Sequence, residues 1–297
     1  MAFTFYSVRL VVALGRAGYN SGNVKQAITS LQSRYRYSII LLKQLVLTDF
    51  KLRYQNSFLG YVWGLLRPLF MFGVLYVVFV KFFKLGSDVP HFAVYLLTGL
   101  VFWNFFAEIT NLGVGAIVDK GDLLRKINFP KYIVIISTAV SALINLALNF
   151  LVVIVFAIFS GVDFSWSALY LLPLLVIELF AAAIAVSLLL SAVYVRVRDV
   201  NYIWEVFMQV FFYATPVVYP ISMVTDKWPW LAKLMLINPV AQVIQDIRHV
   251  LVTPQTVTVW NYVGGIKAVL PVLFVIGLFT FAVIFFKKRA PYFAEEV

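Results

Sequence analysis

The chain has 297 residues, of which 63% are hydrophobic and only 12% are charged. A soluble domain is typically about 45–50% apolar and about 25% charged, so folding in water cannot bury this much apolar surface. The apolar residues also form continuous blocks long enough to cross a bilayer, which needs about 20 residues per helix. The composition therefore indicates an integral membrane protein and excludes a soluble globular domain.

The net charge of +11 is distributed in a way that does not indicate nucleic-acid binding. Lys and Arg lie between the apolar blocks, mostly on alternate connections, which is the pattern that orients membrane proteins. The chain has no cysteine, so a disulfide, a thiol nucleophile and a thiolate metal site are excluded. Residues 1–37 lack a convincing signal-peptide cleavage site, and we predict that they form a polar cytoplasmic leader.

Six membrane-spanning helices are predicted, making the chain an all-α integral membrane protein. In lipid an apolar block must satisfy its backbone hydrogen bonds internally and therefore forms a helix. The blocks are continuously apolar, whereas the strands of a membrane barrel alternate. The predicted spans are residues 59–80, 92–118, 132–159, 167–195, 201–223 and 265–286.

The basic residues predict the orientation of these spans. An even number of spans places both termini on one side, and that side carries 17 Lys and Arg residues against five on the other. The positive-inside rule therefore puts both termini in the cytoplasm. The predicted organisation is a leader (1–37), an interfacial helix (38–58), a six-helix domain (59–286) and a cytoplasmic tail (287–297).

A longer outer segment, residues 224–264, separates the fifth and sixth predicted spans. It contains a moderately apolar stretch, residues 231–252, that is too polar for a seventh span and is interrupted at Asn238-Pro239. Proline breaks a continuous helix because it lacks an N–H and clashes with the preceding turn. We therefore predict a pair of short helices that re-enter the outer leaflet.

Residues that would support an enzyme are missing or scattered. The sequence contains no GxxxxGK[ST] phosphate loop, and neither of its two histidines belongs to a metal-binding spacing. The intramembrane carboxylates Glu108, Glu178 and Glu205 are candidates for function, but they lie on three separate predicted helices. We expect no catalytic residue, metal or cofactor in this chain.

The segment before the first span, residues 38–56, has the pattern of an amphipathic helix. Polar residues recur at steps of four, three and four, with apolar residues opposite. The polar face carries Gln44, Thr48, Lys51 and Gln55, and the apolar face carries Ile39, Leu42, Val46 and Phe50. This pattern predicts a helix lying in the membrane interface, with Asp49 and Arg53 spaced to pair. A soluble amphipathic helix packed on another surface is the alternative.

A series of motifs resembles one family of transporters. The opening motifs are Asp49-Phe-Lys-Leu-Arg-Tyr54, Ser57-Phe-Leu-Gly60, Trp63 and Leu66-Arg-Pro68-Leu. The later ones are Leu123-Leu-Arg-Lys-Ile-Asn-Phe129-Pro130, Arg198-Asp199, Thr215-Pro216-Val-Val-Tyr219 and Asn238-Pro239. In this order they resemble type-2 ABC exporter permeases of the O-antigen, capsule and teichoic-acid class. The resemblance covers about residues 38–286.

The resemblance implies a homodimer that clasps two nucleotide-binding ATPase subunits, which would hold ATP and magnesium. Spans one and five would line a pathway for a polyprenyl-linked glycan, and the interfacial segment would be a gate helix with Asp49, Lys51, Arg53 and Tyr54. Residues 119–130 would form the coupling helix that docks on the ATPase. Its candidate residues are Asp119, Asp122, Leu123, Leu124, Arg125, Lys126, Phe129 and Pro130. The mixed charge of this loop, with Leu123 and Leu124 as anchors, agrees; a plain basic connection is the alternative.

Arg67 is a charge within the first predicted span. It lies eight residues from the start of the span, about 12 Å deep by helical rise, where insertion costs about 2.5–3.5 kcal/mol unless the charge finds water or a partner. Two interpretations stay open. The side chain either reaches the cytoplasmic headgroups, or it faces the pathway and meets the pyrophosphate of a lipid-linked substrate.

Two predicted spans carry aromatic stripes. The first has Phe72, Tyr76 and Phe79, and the fifth has Trp204, Phe207 and Phe211, with Tyr213 and Tyr219 beyond. Each stripe lies on one helix face. Flat aromatic rings can stack on the C–H faces of sugars, so the stripes would suit a polysaccharide conduit. Packing against neighbouring helices or lipid is the alternative.

Together these features predict the permease subunit of an ABC transporter in a bacterial cytoplasmic membrane. Its cargo would be a polyprenyl-linked polysaccharide such as O-antigen, galactan or teichoic acid. A permease for lipids or small drugs and a membrane-embedded glycan-processing enzyme are the alternatives.

Overall fold

The computed structural model describes residues 36–49, 51, 62–84, 89–163 and 165–296, and it contains no β-strand within those ranges. The chain divides into two units, residues 1–44 and residues 45–297. In the first unit the described residues, 36–44, are helical. The predicted gate residues Arg53 and Tyr54, the motif at residues 57–60 and most of the predicted leader lie outside the described residues.

The helices follow one another along the chain with short connections. They are α1 (residues 36–49), α2 (Val62–Leu75, continued by a π-helical turn, Tyr76–Phe82), α3 (Phe92–Asp119), α4 (Gly121–Lys126), α5 (Tyr132–Phe159), α6 (Ala168–Tyr194), α7 (Val200–Ala214), α8 (Ser222–Lys227), α9 (Pro229–Ile237), α10 (Pro239–Leu251), α11 (Val259–Tyr262), α12 (Leu270–Arg289) and α13 (Phe293–Glu296). Short 3₁₀ segments, Gly265–Val269 and Ala290–Tyr292, flank α12.

Five of the described helical segments are long and apolar enough to cross a membrane. They are Val62–Phe82, Phe92–Asp119, Tyr132–Phe159, Ala168–Tyr194 and Gly265–Tyr292. They correspond to five of the six predicted spans. The prediction of an all-helical membrane protein with several apolar spans is therefore confirmed. The six-span count stays a prediction.

The difference lies in the fifth predicted span. A continuous helix over residues 201–223 is predicted, but α7 ends at Ala214. Thr215 is already extended, with φ −97° and ψ 134°, because the ring of Pro216 disfavours a helical conformation in the residue before it. The remaining residues of the predicted span, from Thr215 onward, leave the helix before α8 begins.

The outer segment breaks at the position where the sequence predicts a break. Asn238 caps α10: its Oδ1 accepts a hydrogen bond of 3.1 Å from the backbone N–H of Val240. Pro239 occupies the first turn of α10, where its missing N–H costs nothing. The result is two short helices, α9 and α10. Their re-entry into the outer leaflet stays a prediction.

The core is built around α3. In its most apolar stretch 78% of the residues are buried within the described chain, compared with 6% for α2. The helix packs extensively against α5, α6 and α10. Close approach to α6 depends on Gly113, where a Cβ would overlap the side chain of Ser187. The Ser187 hydroxyl donates to the carbonyl oxygen of Ile109 at 3.0 Å, which fixes the crossing of α3 and α6.

Arg248 of α10 is completely buried and joins three segments of the chain. Its Nε donates to the Tyr95 carbonyl oxygen at 2.9 Å, its Nη1 to that of Pro216 at 2.7 Å, and its Nη2 to that of Val217. The guanidinium also lies 3.8 Å from the centre of the Tyr95 ring, a cation–π geometry. The guanidinium fits in this place only because residue 99 is a glycine, since a Cβ on Gly99 would overlap it.

We predict that Gly99→Ala destabilises the protein by about 1–3 kcal/mol, the usual cost of overpacking a filled core. The added Cβ would also lie 2.9 Å from the Val217 carbonyl oxygen, which is backbone and cannot swing away. The measurement is the thermal unfolding midpoint of the purified protein in detergent. Gly277→Ala in α12 is the matched control, because nothing lies within 4 Å of its added Cβ; equal midpoints for the two variants would contradict the prediction.

Candidate functional site

The connection between α3 and α5 contains a short, separate helix. Lys120 leaves the helical conformation after α3, with φ −104° and ψ 21°, and α4 follows. Asp122 lies in the first turn of α4, while Arg125 and Lys126 lie in its last turn. This distribution complements the helix dipole, which favours acidic residues at the N-terminus and basic residues at the C-terminus. The predicted coupling segment is therefore helical from Gly121 to Lys126.

Two apolar members of this segment point into the chain's own core. Leu124 is 3% exposed and Phe129 is 4% exposed. The ammonium of Lys131 lies 5.4 Å from the centre of the Phe129 ring. Leu124 was predicted as an anchor for a partner, but its side chain is already covered by this chain. It is therefore placed to hold α4 in position.

The other predicted coupling residues face outward. Asp119, Asp122, Arg125, Lys126 and Pro130 are exposed, and Leu123 is half-buried. An exposed helix face with both signs of charge and one accessible leucine can dock in a groove of a partner. Their role in coupling stays a prediction.

An ion pair joins Asp49, the last residue of α1, to Lys120 at the end of α3. The Nζ of Lys120 lies 2.8 Å from Oδ1 of Asp49, and both side chains are about a quarter exposed or less. Asp49 thus pairs with Lys120. Its predicted partner Arg53 lies outside the described residues, so that pairing stays a prediction. The pair borders an open groove of about 400 Å³, lined by Asp49, Leu112, Ala116, Asp119, Lys120, Thr138 and Ser141. Of the remaining predicted gate residues, Lys51 is helical and exposed.

The predicted pathway residues of α2 have different surroundings. Phe72 is buried and packs edge-on against Phe156 of α5, with ring centres 5.8 Å apart. Tyr76 and Phe79 are half-buried, and Arg67 is exposed. Phe72 therefore belongs to the packing between α2 and α5, while Arg67 stays accessible.

The predicted aromatic stripe of α7 forms a stacked ladder. The rings of Trp204, Phe207 and Phe211 follow one another with centres 5.2 Å apart. Phe211 also contacts α3, where its ring centre lies 5.5 Å from Trp103 and 6.3 Å from Phe106. The ladder is thus continuous, and at Phe211 it is part of the contact between α7 and α3.

The two tyrosines beyond the ladder are linked to each other. Tyr219 donates its hydroxyl to the carbonyl oxygen of Tyr213 at 2.8 Å. The phenol hydroxyl is the donor in this pair, because a carbonyl oxygen can only accept. The ring of Tyr213 is 66% exposed. The bond stabilises the turn that ends α7 and leaves one ring accessible.

A polar stripe on α7 is absent from the sequence prediction. Asn201, Glu205 and Gln209 recur at steps of four, and all three are exposed. Successive residues of a helix are separated by 100°, which places these three on one face, with the exposed Tyr202 and Tyr213 along its edge. This spacing is visible in the sequence. The aromatic residues of the same helix form a more prominent pattern, however, and they mark a different face as the predicted pathway.

A separate exposed face of α7 is apolar. Ile203, Val206 and Val210 are each more than 60% exposed, and by helical spacing they lie on the side away from the polar stripe. Apolar side chains suit contact with lipid. Polar side chains at membrane depth face water, a cavity or other protein. The helix therefore presents two exposed faces of different chemistry, one apolar and one polar.

The sequence profile of the ABC-2 type transporter family matches residues 40–252. The chain belongs to this family. The match extends from α1 to the end of α10 and includes α4 and α7, while α12 and α13 lie beyond it.

Three relatives are similar over most of their lengths. The O-antigen export system permease protein RfbA of Myxococcus xanthus is 29% identical over 223 residues, which are 75% of this chain and 84% of the relative. Two proteins of Klebsiella pneumoniae with the same name are 26% identical over 221 residues and 25% identical over 222 residues. Each of those alignments covers 74% of this chain, and 83% and 84% of the respective relative.

Proposed function

We propose that this chain is the membrane permease subunit of an ATP-driven exporter of an O-antigen-type polysaccharide in a bacterium. The observation that carries the proposal is the similarity to three O-antigen export permeases over more than four-fifths of their own lengths. An alignment of that extent includes both the helical core and the connection that contains α4. The chain itself is a transport subunit and not an enzyme.

The partner that this function requires is an ATPase. An ABC-2 type transporter takes its energy from a nucleotide-binding subunit, and we assign ATP and magnesium to that subunit. The exposed charged face of α4 is the surface proposed to receive it. Two copies of each subunit would form the complex, because α2 and α7 leave large faces uncovered in one copy.

The cargo is proposed to be a glycan on a polyprenyl phosphate or pyrophosphate carrier. Arg67 is exposed, and a guanidinium is suited to phosphate because it is planar, always charged and able to donate two parallel hydrogen bonds. The polar stripe of α7 offers a carboxylate and two amides, groups that exchange hydrogen bonds with sugar hydroxyls. We place α2 and α7 of both copies along the glycan pathway.

The chain is proposed to lie in the cytoplasmic membrane with both termini inside. Since it has no native cysteine, single cysteines can report the orientation without background. We expect Asp163→Cys to react with a membrane-impermeant thiol reagent in intact cells, and Asp199→Cys to react only after permeabilisation. The reverse labelling pattern would place α4 on the outside and remove it as an ATPase contact.

We predict that the double reversal Asp122→Arg/Arg125→Asp weakens co-purification of the ATPase subunit and lowers export. Both side chains are exposed, so the fold loses little, whereas an interface loses complementary charges. Asp163→Lys/Asp226→Lys, on the opposite side, is the control for two charge changes. Normal association and export in the α4 variant would refute its assignment as the coupling helix. Glycan turnover by the purified chain without an ATPase would favour the enzyme alternative.

For the pathway, we predict that Glu205→Leu/Gln209→Leu lowers polysaccharide export about tenfold, equivalent to ~1.4 kcal/mol, while the complex still assembles and hydrolyses ATP. The variant removes the groups available to sugar hydroxyls without altering the buried side of α7. Val206→Ala/Val210→Ala on the apolar face is the matched control and should export normally. If the two variants export equally well, the polar stripe does not line the pathway.

A further inference from the structure

The end of the chain folds back against the predicted coupling helix. After α12 a 3₁₀ turn leads into α13, and α13 packs on α4. Phe293, the first residue of α13, is completely buried. Its ring meets that of Phe286 edge-on, with centres 5.2 Å apart. The last span, the terminal helix and the coupling helix are therefore packed into one cluster.

The two neighbouring helices α4 and α13 each have a buried apolar side chain. Leu124 comes from α4 and Phe293 from α13. A helix as short as α4 is not stable alone in water and depends on packing for its conformation. The position of α4 therefore depends on residues at the far end of the sequence.

The outer side of the same cluster is exposed and charged. On α4 it presents Asp122, Arg125 and Lys126, and at the chain end it presents Tyr292, Glu295 and Glu296. Because α13 packs on α4, the two exposed sets lie on neighbouring helices. A partner that docks on α4 meets the terminal residues as well.

Charge indicates that this surface contacts protein and not the membrane. The segment Lys287-Lys288-Arg289 ends the last span with three positive charges, which suit the anionic headgroups of a cytoplasmic leaflet. Glu295 and Glu296 follow within a few residues, and carboxylates are repelled by the same headgroups. The terminal helix is thus expected to turn away from lipid toward the side on which α4 is exposed.

The family does not supply this assignment, since its match ends at residue 252. We propose that α13 forms a second half of the ATPase docking surface, with Phe293 positioning α4 and with Glu295 and Glu296 contacting a basic patch on the ATPase subunit. The inference rests on the proposed function, because it takes the ATPase as the occupant. It also gives the last span a mechanical link to the coupling helix through Phe286 and Phe293.

The first test measures association in the full-length complex. Glu295→Lys/Glu296→Lys should weaken the Kd for the ATPase subunit about tenfold, with unchanged membrane insertion, and should reduce its dependence on salt, because complementary surface charges are screened by ions. Asp163→Lys/Asp226→Lys serves as the control for two reversed carboxylates. An unchanged Kd and salt dependence would overturn the proposal.

The second test addresses Phe293. Phe293→Ala should lower the number of glycans exported per ATP hydrolysed, because α4 loses its support, and Phe293→Leu should restore much of that ratio by refilling the space. Trp166→Ala is the control, an exposed ring that lies outside the proposed docking surface. An unchanged ratio in Phe293→Ala, or an equal fall in Trp166→Ala, would contradict a positioning role.

The association measurements separate the proposed role of α13 from the proposed coupling role of α4. If Asp122→Arg/Arg125→Asp weakens the ATPase association while the Glu295 and Glu296 variant does not, only the role of α13 is lost. If neither variant weakens it, the coupling assignment under the proposed function is lost as well. The carboxylates are exposed, so their substitution remains informative even where Phe293→Ala reduces the yield of folded protein.

Discussion

A buried charge determines how α3, α10 and the turn after α7 are packed together. Arg248 cannot lose its proton, and a guanidinium without hydrogen-bond acceptors would be very costly inside the protein. Three backbone carbonyl oxygens and one ring face meet that requirement. Two of those carbonyls belong to the turn after α7, where Pro216 has ended the helix. Arg248 therefore satisfies backbone that a continuous span would have satisfied by itself.

The same interaction places the faces of α7. Because the turn at Pro216 is held against α3 and α10, α7 has a fixed end as well as a fixed contact at Phe211. Fixing the helix at both points sets which residues stay exposed, namely the polar stripe and the apolar face. The exposed faces that would line the proposed pathway are therefore determined by contacts that lie outside the pathway. Gly99, which makes room for the guanidinium, is as necessary to the arrangement as Arg248.

The sequence predicts the architecture well because composition and block length decide it: apolar blocks in lipid must be helices. The family resemblance also implies a helix where α4 lies, although the residues of this short charged stretch, taken alone, leave a plain basic connection open. The sequence cannot tell that Leu124 faces inward, because the helix that packs on α4 comes from the opposite end of the chain. Arg248 is likewise counted only as an outer basic residue, since its acceptors lie in segments far away in the sequence.

The ion pair between Asp49 and Lys120 has a consequence for motion. A partly exposed pair of this kind contributes about 1 kcal/mol or less, little more than thermal energy. It can define where Asp49 lies beside the end of α3, yet it opens and re-forms without a large barrier. An ion pair this weak lets Asp49 and Lys120 separate with little resistance. It also favours their return to the same contact afterwards. It would also loosen as ionic strength rises, because water and salt reach both charged groups.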